Sequence, residues 1–342
     1  MLQVRPYENV NDLERMRAIL VEGRQAANGS GTGSSGGTGS SGGTGSSGET
    51  GPNSFGGPSY YVHVGDLNWW LFYTSEQDDR AQALRPYVWY PAGRAEEIVG
   101  WTLLSPRWRA FDVFYIPSLR GSPEAEQMVA WSAEQAEVAA RLEGGASVRT
   151  MWIFEDDVVM TGLLGRLGFT ATDSYMTYMR RSLAEPLPTA QLPPGFWVGH
   201  ISGESQAEQR ARAQHAAFGS ALPFEDYLQR YLRFMRSPVY RAELDRVIFA
   251  PDGQVAAFCI CWLDETNRTG LFEPVGTHPD FRKMGLGKAV LLDGLACMRA
   301  HGMQEAIVCV ECDNPAAQRL YASVGFRQVN TLRTFARAVQ RP

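Results

Sequence analysis

The tightest constraint on the fold is an internal repeat. Pro117 recurs as Pro279, and the dipeptide Gly168-Phe169 recurs as Gly325-Phe326, at offsets of 162 and 157 residues. A near-constant offset of this length implies a unit duplicated in tandem. The chain has 342 residues, which is long for one ordinary core and comfortable for two. The proline-rich segment 184–195, AEPLPTAQLPPG, has linker composition and divides the chain into halves of similar length. Two domains, 1–183 and 196–342, joined by 184–195, are therefore expected.

Each half alternates strands and helices. In the second half FWVGHI is strand-like, and helices are expected near Glu204 to Phe218 and over Phe224 to Met235. DRVIFA and VAAFCICWL read as strands joined at a Pro-Asp-Gly turn. LFEPV is a strand, Lys288 to His301 an amphipathic helix, AIVCVEC a strand, Pro315 to Ser323 a helix, and the tail a strand. In the first half LQVRP, YYVHV, NWWLFYTS, EIVGWTLLS, FDVFYI and VRTMWIFED read as strands, and helices are expected over DLERMRAILVEG, Pro123 to Leu142 and Val158 to Leu167. The alternating aromatics of Asn68 to Tyr73 are expected in the core or at an interface rather than in a substrate cage. The fold class is α/β, with mixed, mostly antiparallel sheets flanked by helices. Residues 28 to 51 repeat GTGSSG and cannot bury apolar surface, so a disordered loop is expected at 28–58 inside the first domain.

Composition excludes several classes. Apolar residues make up 44% and the net charge is -5, so there is no basic footprint for nucleic acid. No apolar run is long enough for a bilayer, and MLQVRPYENV lacks a secretory pattern, so a cytoplasmic protein is expected. The five cysteines, Cys259, Cys261, Cys297, Cys309 and Cys312, suit neither a disulfide framework nor a complete metal site. Cys259 and Cys261 should share one face of a strand as free buried thiols.

The stretch that carries chemistry runs from Val275 to Lys288, VGTHPDFRKMGLGK, after a strand and into a helix. Gly285 and Gly287 permit special backbone angles and close approach of a ligand. The first N–H groups of the helix, its dipole, and Arg282, Lys283 and Lys288 form an anion cradle suited to a pyrophosphate. The spacing is neither that of a Walker loop nor that of a dinucleotide fingerprint.

R-K-M-G-L-G after a strand resembles the R/Q-x-x-G-x-G/A signature of the GNAT superfamily of N-acetyltransferases. A second block, Asn314-Pro-Ala-Ala-Gln-Arg-Leu-Tyr321-Ala-Ser-Val-Gly325-Phe326, resembles the family's N-x-x-A-x-x-x-Y-x-x-x-G-F block. The resemblance implies two tandem GNAT-like domains. It implies acetyl-CoA as co-substrate and a splayed pair of central strands holding its pantetheine arm. Pro274, unable to donate to a sheet ladder, fits such an opening or an edge strand. Val275, Gly276, Thr277, Arg282, Lys283, Met284, Gly285, Leu286, Gly287, Lys288, Asn314, Ala317 and Tyr321 are the implied cofactor contacts.

The resemblance also implies direct attack of a neutral primary amine on the thioester. That chemistry needs a base for the amine proton and an acid for the sulfur. Tyr321 matches the family's acid, or packs as a core aromatic. Glu273, two residues before Val275, is the candidate base or a solvated strand glutamate. Glu311 is its rival, and His278 reads as a loop histidine. No metal is implied. The acceptor is expected to be a small-molecule or peptide amine, bordered by Phe218, Phe224, Glu225, Asp226 and Tyr227, whose carboxylates would suit a cation. A monomer or homodimer, with no nucleic-acid or membrane partner, is expected.

The first half departs from the pattern. Arg120 matches Arg282, but Pro123 and Ala125 stand at the Gly285 and Gly287 positions and Glu126 at Lys288. Leu164 replaces Tyr321, and Asp157 replaces Asn314. Proline removes an N–H, and Glu124 and Glu126 would repel a pyrophosphate. The first half is thus expected to be a degenerate GNAT-like domain. The function expected is an N-acetyltransferase. The alternative is a non-catalytic acyl-CoA sensor.

Overall fold

A computed structural model describes residues 1–29, 62–74 and 83–339. Except for Asn28 and Gly29, which close the first helix, the Gly/Ser tract lies outside them, as do Tyr60, Tyr61 and Ser75 of two expected strands. The elements run β1 (Leu2–Pro6), α1 (Val10–Gly29), α2 (Val64–Trp69), β2 (Arg85–Pro91), β3 (Gly100–Ser105), β4 (Ala110–Tyr115), α3 (Pro123–Leu142), β5 (Ser147–Phe154), α4 (Val158–Arg166) and β6 (Thr170–Ser182). The second half contributes β7 (Trp197–His200), α5 (Ala207–Phe218), α6 (Phe224–Met235), β8 (Asp245–Phe249), β9 (Val255–Asp264), β10 (Thr269–Thr277), α7 (Leu286–Ala300), β11 (Glu305–Glu311), α8 (Pro315–Ser323) and β12 (Arg327–Ala338). The α/β class and mixed sheet are as expected. Among the described residues no helix is long and apolar enough to cross a membrane.

The twelve strands of the described residues join one sheet in the order β1-β2-β3-β4-β5-β12-β6-β11-β10-β9-β8-β7. The last strand of each half lies inside the other half. β12 pairs antiparallel with β5 and β6, and β6 pairs antiparallel with β12 and β11. Segment 184–195 has no regular element, yet Leu187, Ala190 and Leu192 pack on the core beside α7.

The repeat is visible at matched positions. Asp157 caps α4 by accepting from Met160 N at 2.9 Å, and Asn314 caps α8 by accepting from Ala317 N at 3.1 Å. Gly168 and Gly325 then turn the chain at φ of 81° and 90°. Phe169 N donates to Leu164 O, and Phe326 N to Tyr321 O.

Strand alternation explains the two layers. In β9, Ala257, Cys259 and Cys261 face the α7 core, while Ile260 and Trp262 face the core shared by α1, α2, α5 and α6. All five cysteines are free, and Cys259 and Cys261 are buried on one face as expected.

The strand expected over Asn68 to Ser75 is a correction: α2 continues into a π-helical turn at Trp70–Thr74. Nor do Val62 and His63 form a strand; His63 is the N-cap of α2. His63 Nδ1 accepts from Gly65 N at 2.8 Å, and Asp66 Oδ2 accepts from His63 N at 2.8 Å. Val64 to Trp69 are buried all round, so the helix shows no amphipathic period. Its aromatics are core, as expected: Trp69 stacks on Tyr73 at 3.9 Å, and Trp70 meets Trp152 at 4.8 Å. Two strands carried no clear signal. β2 is bracketed by prolines, and β6 holds adjacent buried arginines, Arg180 and Arg181. Arg180 is accommodated by an ion pair with Glu305, which also binds Arg24 Nη2 at 2.5 Å.

Candidate active site

The site begins where two central strands part. β10 and β11 pair in parallel only over Thr269↔Glu305, Gly270↔Ala306 and Leu271↔Ile307. Beyond that, β11 follows β6 and β10 follows β9. The β9–β10 register shifts between Phe272 and Val275, around Pro274, whose missing N–H suits an interrupted ladder. Val275, Gly276 and Thr277 pair with Cys259, Phe258 and Ala257 on one edge and, among the described residues, pair with no strand on the other. Gly276 cannot carry a side chain, because a Cβ there would lie 2.3 Å from the Phe258 ring.

The loop after β10 lifts the chain over the gap. His278 Nδ1 accepts from Asp280 N at 3.3 Å and starts a 3-10 turn over Pro279–Phe281, which is a loop role. Lys283 and Gly285 take φ of 64° and 80°, and α7 opens with no side-chain cap at Gly285. The first N–H groups of α7 are therefore available to an anion. Lys283, Met284, Gly285 and Lys288 are exposed, whereas Leu286 is buried. A Cβ at Gly287 would approach Thr277 Oγ1 at 3.1 Å and Leu320 at 3.2 Å. Arg282 is committed elsewhere: its Nη2 donates to Ala217 O at 3.0 Å. Thr189 to Pro193 of the proline-rich segment line a cavity of about 580 Å³ beside Met284, Gly285 and Lys288.

Tyr321 projects from α8, buried against Phe326 at 5.8 Å. Burial, with Cys259, Cys309 and Glu273 nearby, pushes its phenol well up, so it stays protonated at neutral pH. Asn314 is the α8 cap, and Ala317 N is the group it binds. Glu311 is exposed at the end of β11, away from this burial.

Glu273 has a neighbour that sequence reasoning missed. Its side chain hydrogen-bonds Asp66 of α2, from the other half of the chain. Burial and the adjacent negative charge push Glu273 well above the usual carboxylate range. Burial alone raises Asp66 to about 6, against the hydrogen bonds from Glu273 and His63. Glu273 Oε2 is out of contact with solvent and has no hydrogen-bond partner among the described residues. Trp262 Nε1 donates to Glu273 O at 2.7 Å and holds the backbone of this residue. The only local signal for Asp66 is the capping spacing from His63.

The counterpart in the first half is closed upon itself. β4 and β5 pair only at Ala110↔Arg149 and then diverge. Asp112, which the 162-residue offset matches to Pro274, fills the opening. Its Oδ1 accepts from Thr150 Oγ1, Met151 N and Trp152 N, each at 2.9 Å. Arg120 pairs with Asp157, Ser122 caps α3 by accepting from Ala125 N at 3.2 Å, and Arg166 pairs with Glu126.

The helices expected to border an acceptor lie on the Asp66 side of the sheet. Phe218 is exposed and meets Phe258 edge-on at 6.0 Å. Phe224 lies under Arg212 at 4.1 Å, and Tyr227 is buried. Glu225 and Asp226 are exposed in the first turn of α6.

Comparison with known proteins bears on the family and the fold. A model of the acetyltransferase (GNAT) family matches residues 209–326. A mycothiol acetyltransferase of Nocardia farcinica is 29% identical over 195 residues, 54% of this chain and 62% of that protein. Another, from Mycobacteroides abscessus, is 30% identical over 210 residues, 58% of this chain and 67% of that protein. The chain thus spans a little under two thirds of the first of these relatives. A tandem GNAT protein of the clavulanic acid biosynthesis pathway shares the fold, with a TM-score of 0.64 at 15% identity over the full length of both chains.

Proposed function

We propose, from the premise that the chain belongs to the acetyltransferase (GNAT) family, that it transfers an acetyl group from acetyl-CoA to the primary amine of a small molecule. The observation that carries this reading is the open edge of β10 at Val275–Thr277, running into an uncapped helix start flanked by Lys283 and Lys288. Those groups fit the cofactor: strand amides and carbonyls would hold a pantetheine arm, and the α7 N–H groups a pyrophosphate. When bound, acetyl-CoA supplies the activated acetyl carbonyl.

The chain's own groups then handle protons. Glu273, held in a buried site, takes the proton of the incoming amine. Tyr321, kept neutral by burial, gives its proton to the departing sulfur. Asn314 and Ala317 shape the start of α8, which carries Tyr321. The acceptor we propose is a small molecule of the kind that gives the mycothiol acetyltransferases their name. Residues 196–342 would form the catalytic domain, and residues 1–183 would shape its acceptor side.

Calorimetric titration of acetyl-CoA into the wild type and into a Gly285→Glu, Gly287→Glu double variant, each checked for folding, tests the reading. Saturable binding that is lost in the folded variant supports it. Absence of binding to the wild type overturns it.

A further inference from the structure

Asp66 and Glu273 come from different halves of the chain, more than two hundred residues apart, and meet where α2 packs on β10, in the layer where their neighbours Leu67 and Leu271 share a core with α1, α5 and α6. Asp66 is 3% exposed, and one of its oxygens is already used by His63 N at 2.8 Å. Two carboxyl groups can hydrogen-bond only through a proton held between them. Among the described residues neither carboxyl has an ion-pair partner; the nearby cation, Arg17 of α1, acts on His63. His63 uses Nδ1 as an acceptor, so its Nε2 carries the hydrogen toward Thr269 O at 2.9 Å, and burial keeps the ring neutral by lowering it to about 4. The other titratable groups nearby, Cys309 from β11 and Tyr321 from α8, are both held protonated by burial.

We propose that Asp66 and Glu273 hold one proton between them and receive the amine's proton as a unit, so that the first half supplies part of the base. The inference rests on the acetyltransferase reading. Glu273 is the residue that meets the amine, and Asp66 acts through it as a positioning residue. For an amine arriving as an ammonium, one N–H bond breaks and its proton passes to Glu273 Oε2, the oxygen without a partner. The proton already on Glu273 crosses to Asp66. The electron pair stays on nitrogen for attack on the acetyl carbon; as the C–S bond breaks Tyr321 protonates the departing thiolate, and the newly acylated nitrogen gives its second proton to the Tyr321 phenolate, leaving the neutral amide and the free thiol. The pair goes from one negative charge to none as the ammonium loses its positive charge.

The test is carboxyl titration by 13C NMR of the full chain labelled at glutamate Cδ. The Glu273 resonance is identified by its loss in Glu273→Gln. In the wild type its midpoint is expected well above the ordinary glutamate value of about 4.3. In Asp66→Asn, which keeps an oxygen for His63 N, the midpoint is expected to fall by at least about one pH unit, a tenfold change in proton affinity. A wild-type midpoint in the ordinary range overturns the inference even where the variant fails to fold, and so does a midpoint unmoved by Asp66→Asn. Acetyl-CoA binding is measured separately on the wild type. An absent pair with intact binding overturns this inference alone, and absent binding with an intact pair overturns the acetyltransferase reading alone.

Discussion

Arg120 and Asp157 form a two-point ion pair, Nη1 to Oδ2 at 2.8 Å and Nη2 to Oδ1 at 2.7 Å, where the second half leaves its helix start open. The first half satisfies that locus with its own charges. Arg120→Ala is therefore expected to leave acetyl-CoA affinity unchanged. Because Arg120 is one-third exposed, the stability loss should stay near or below about 1 kcal/mol. Calorimetry and urea titration of the same variant check both statements.

Gly285 sits at φ of 80° with nothing within 4 Å of where a Cβ would stand. Its replacement is thus a pure backbone perturbation. Gly285→Ala is expected to cost about 1 kcal/mol or more in urea unfolding, the penalty for a left-handed non-glycine residue.

Tyr321→Phe removes the proton that the mechanism delivers to sulfur and leaves the ring that packs on Phe326. Turnover with an acceptor found by screening should fall by about 10²-fold or more, with acetyl-CoA affinity little changed. Full turnover in this variant would remove Tyr321 from the chemistry.

Asp112 makes stability depend on pH. Burial raises its carboxyl from 3.8 to about 7 in the folded chain. The folded state then holds a proton that the unfolded state releases between these values. Its contribution to stability is fully present below about 4 and is lost as pH rises through about 7. Asp112→Asn keeps the oxygen that accepts from Thr150, Met151 and Trp152. Its stability relative to wild type should rise between pH 4.5 and 7.5, by on the order of 1 kcal/mol or more. A constant difference across that window would contradict the shift.

Asp245 is fully buried and accepts from Arg210 Nε at 2.8 Å, Tyr240 at 3.2 Å and Tyr231. Asp245→Ala leaves Arg210 charged in a dry site over the Phe258 ring at 4.0 Å. A loss of about 3 kcal/mol or more is expected in urea titration.

The cofactor loop was legible because its chemistry is local: two glycines, three basic residues and a helix start lie within seven positions. Elements with a clear period, such as Pro123–Leu142 and Pro315–Ser323, fell where the sequence put them. Helix α2 did not, because a segment buried on every side loses the alternation between wet and dry faces that marks a helix. Asp66 was hidden for the same reason, and because its partner lies in the other half of the chain. β6 was obscured by Arg180 and Arg181, whose burial depends on the distant Glu305 and on the Pro186 carbonyl. The reciprocal placement of β6 and β12 is a matter of pairing choice, on which local composition is silent.

That placement makes the halves hostages to each other. A cut within 184–195 would leave an N-terminal piece whose β5 and β6 no longer have β12 between them, and a C-terminal piece whose β11 and β12 lack β6. Each piece alone would hold a slot one strand wide, with unpaired backbone along its walls that invites any passing strand. Mixed together, each carries the strand that fills the other's slot, so the cut chain should behave as a reciprocal fragment-complementation pair in which neither partner is the scaffold.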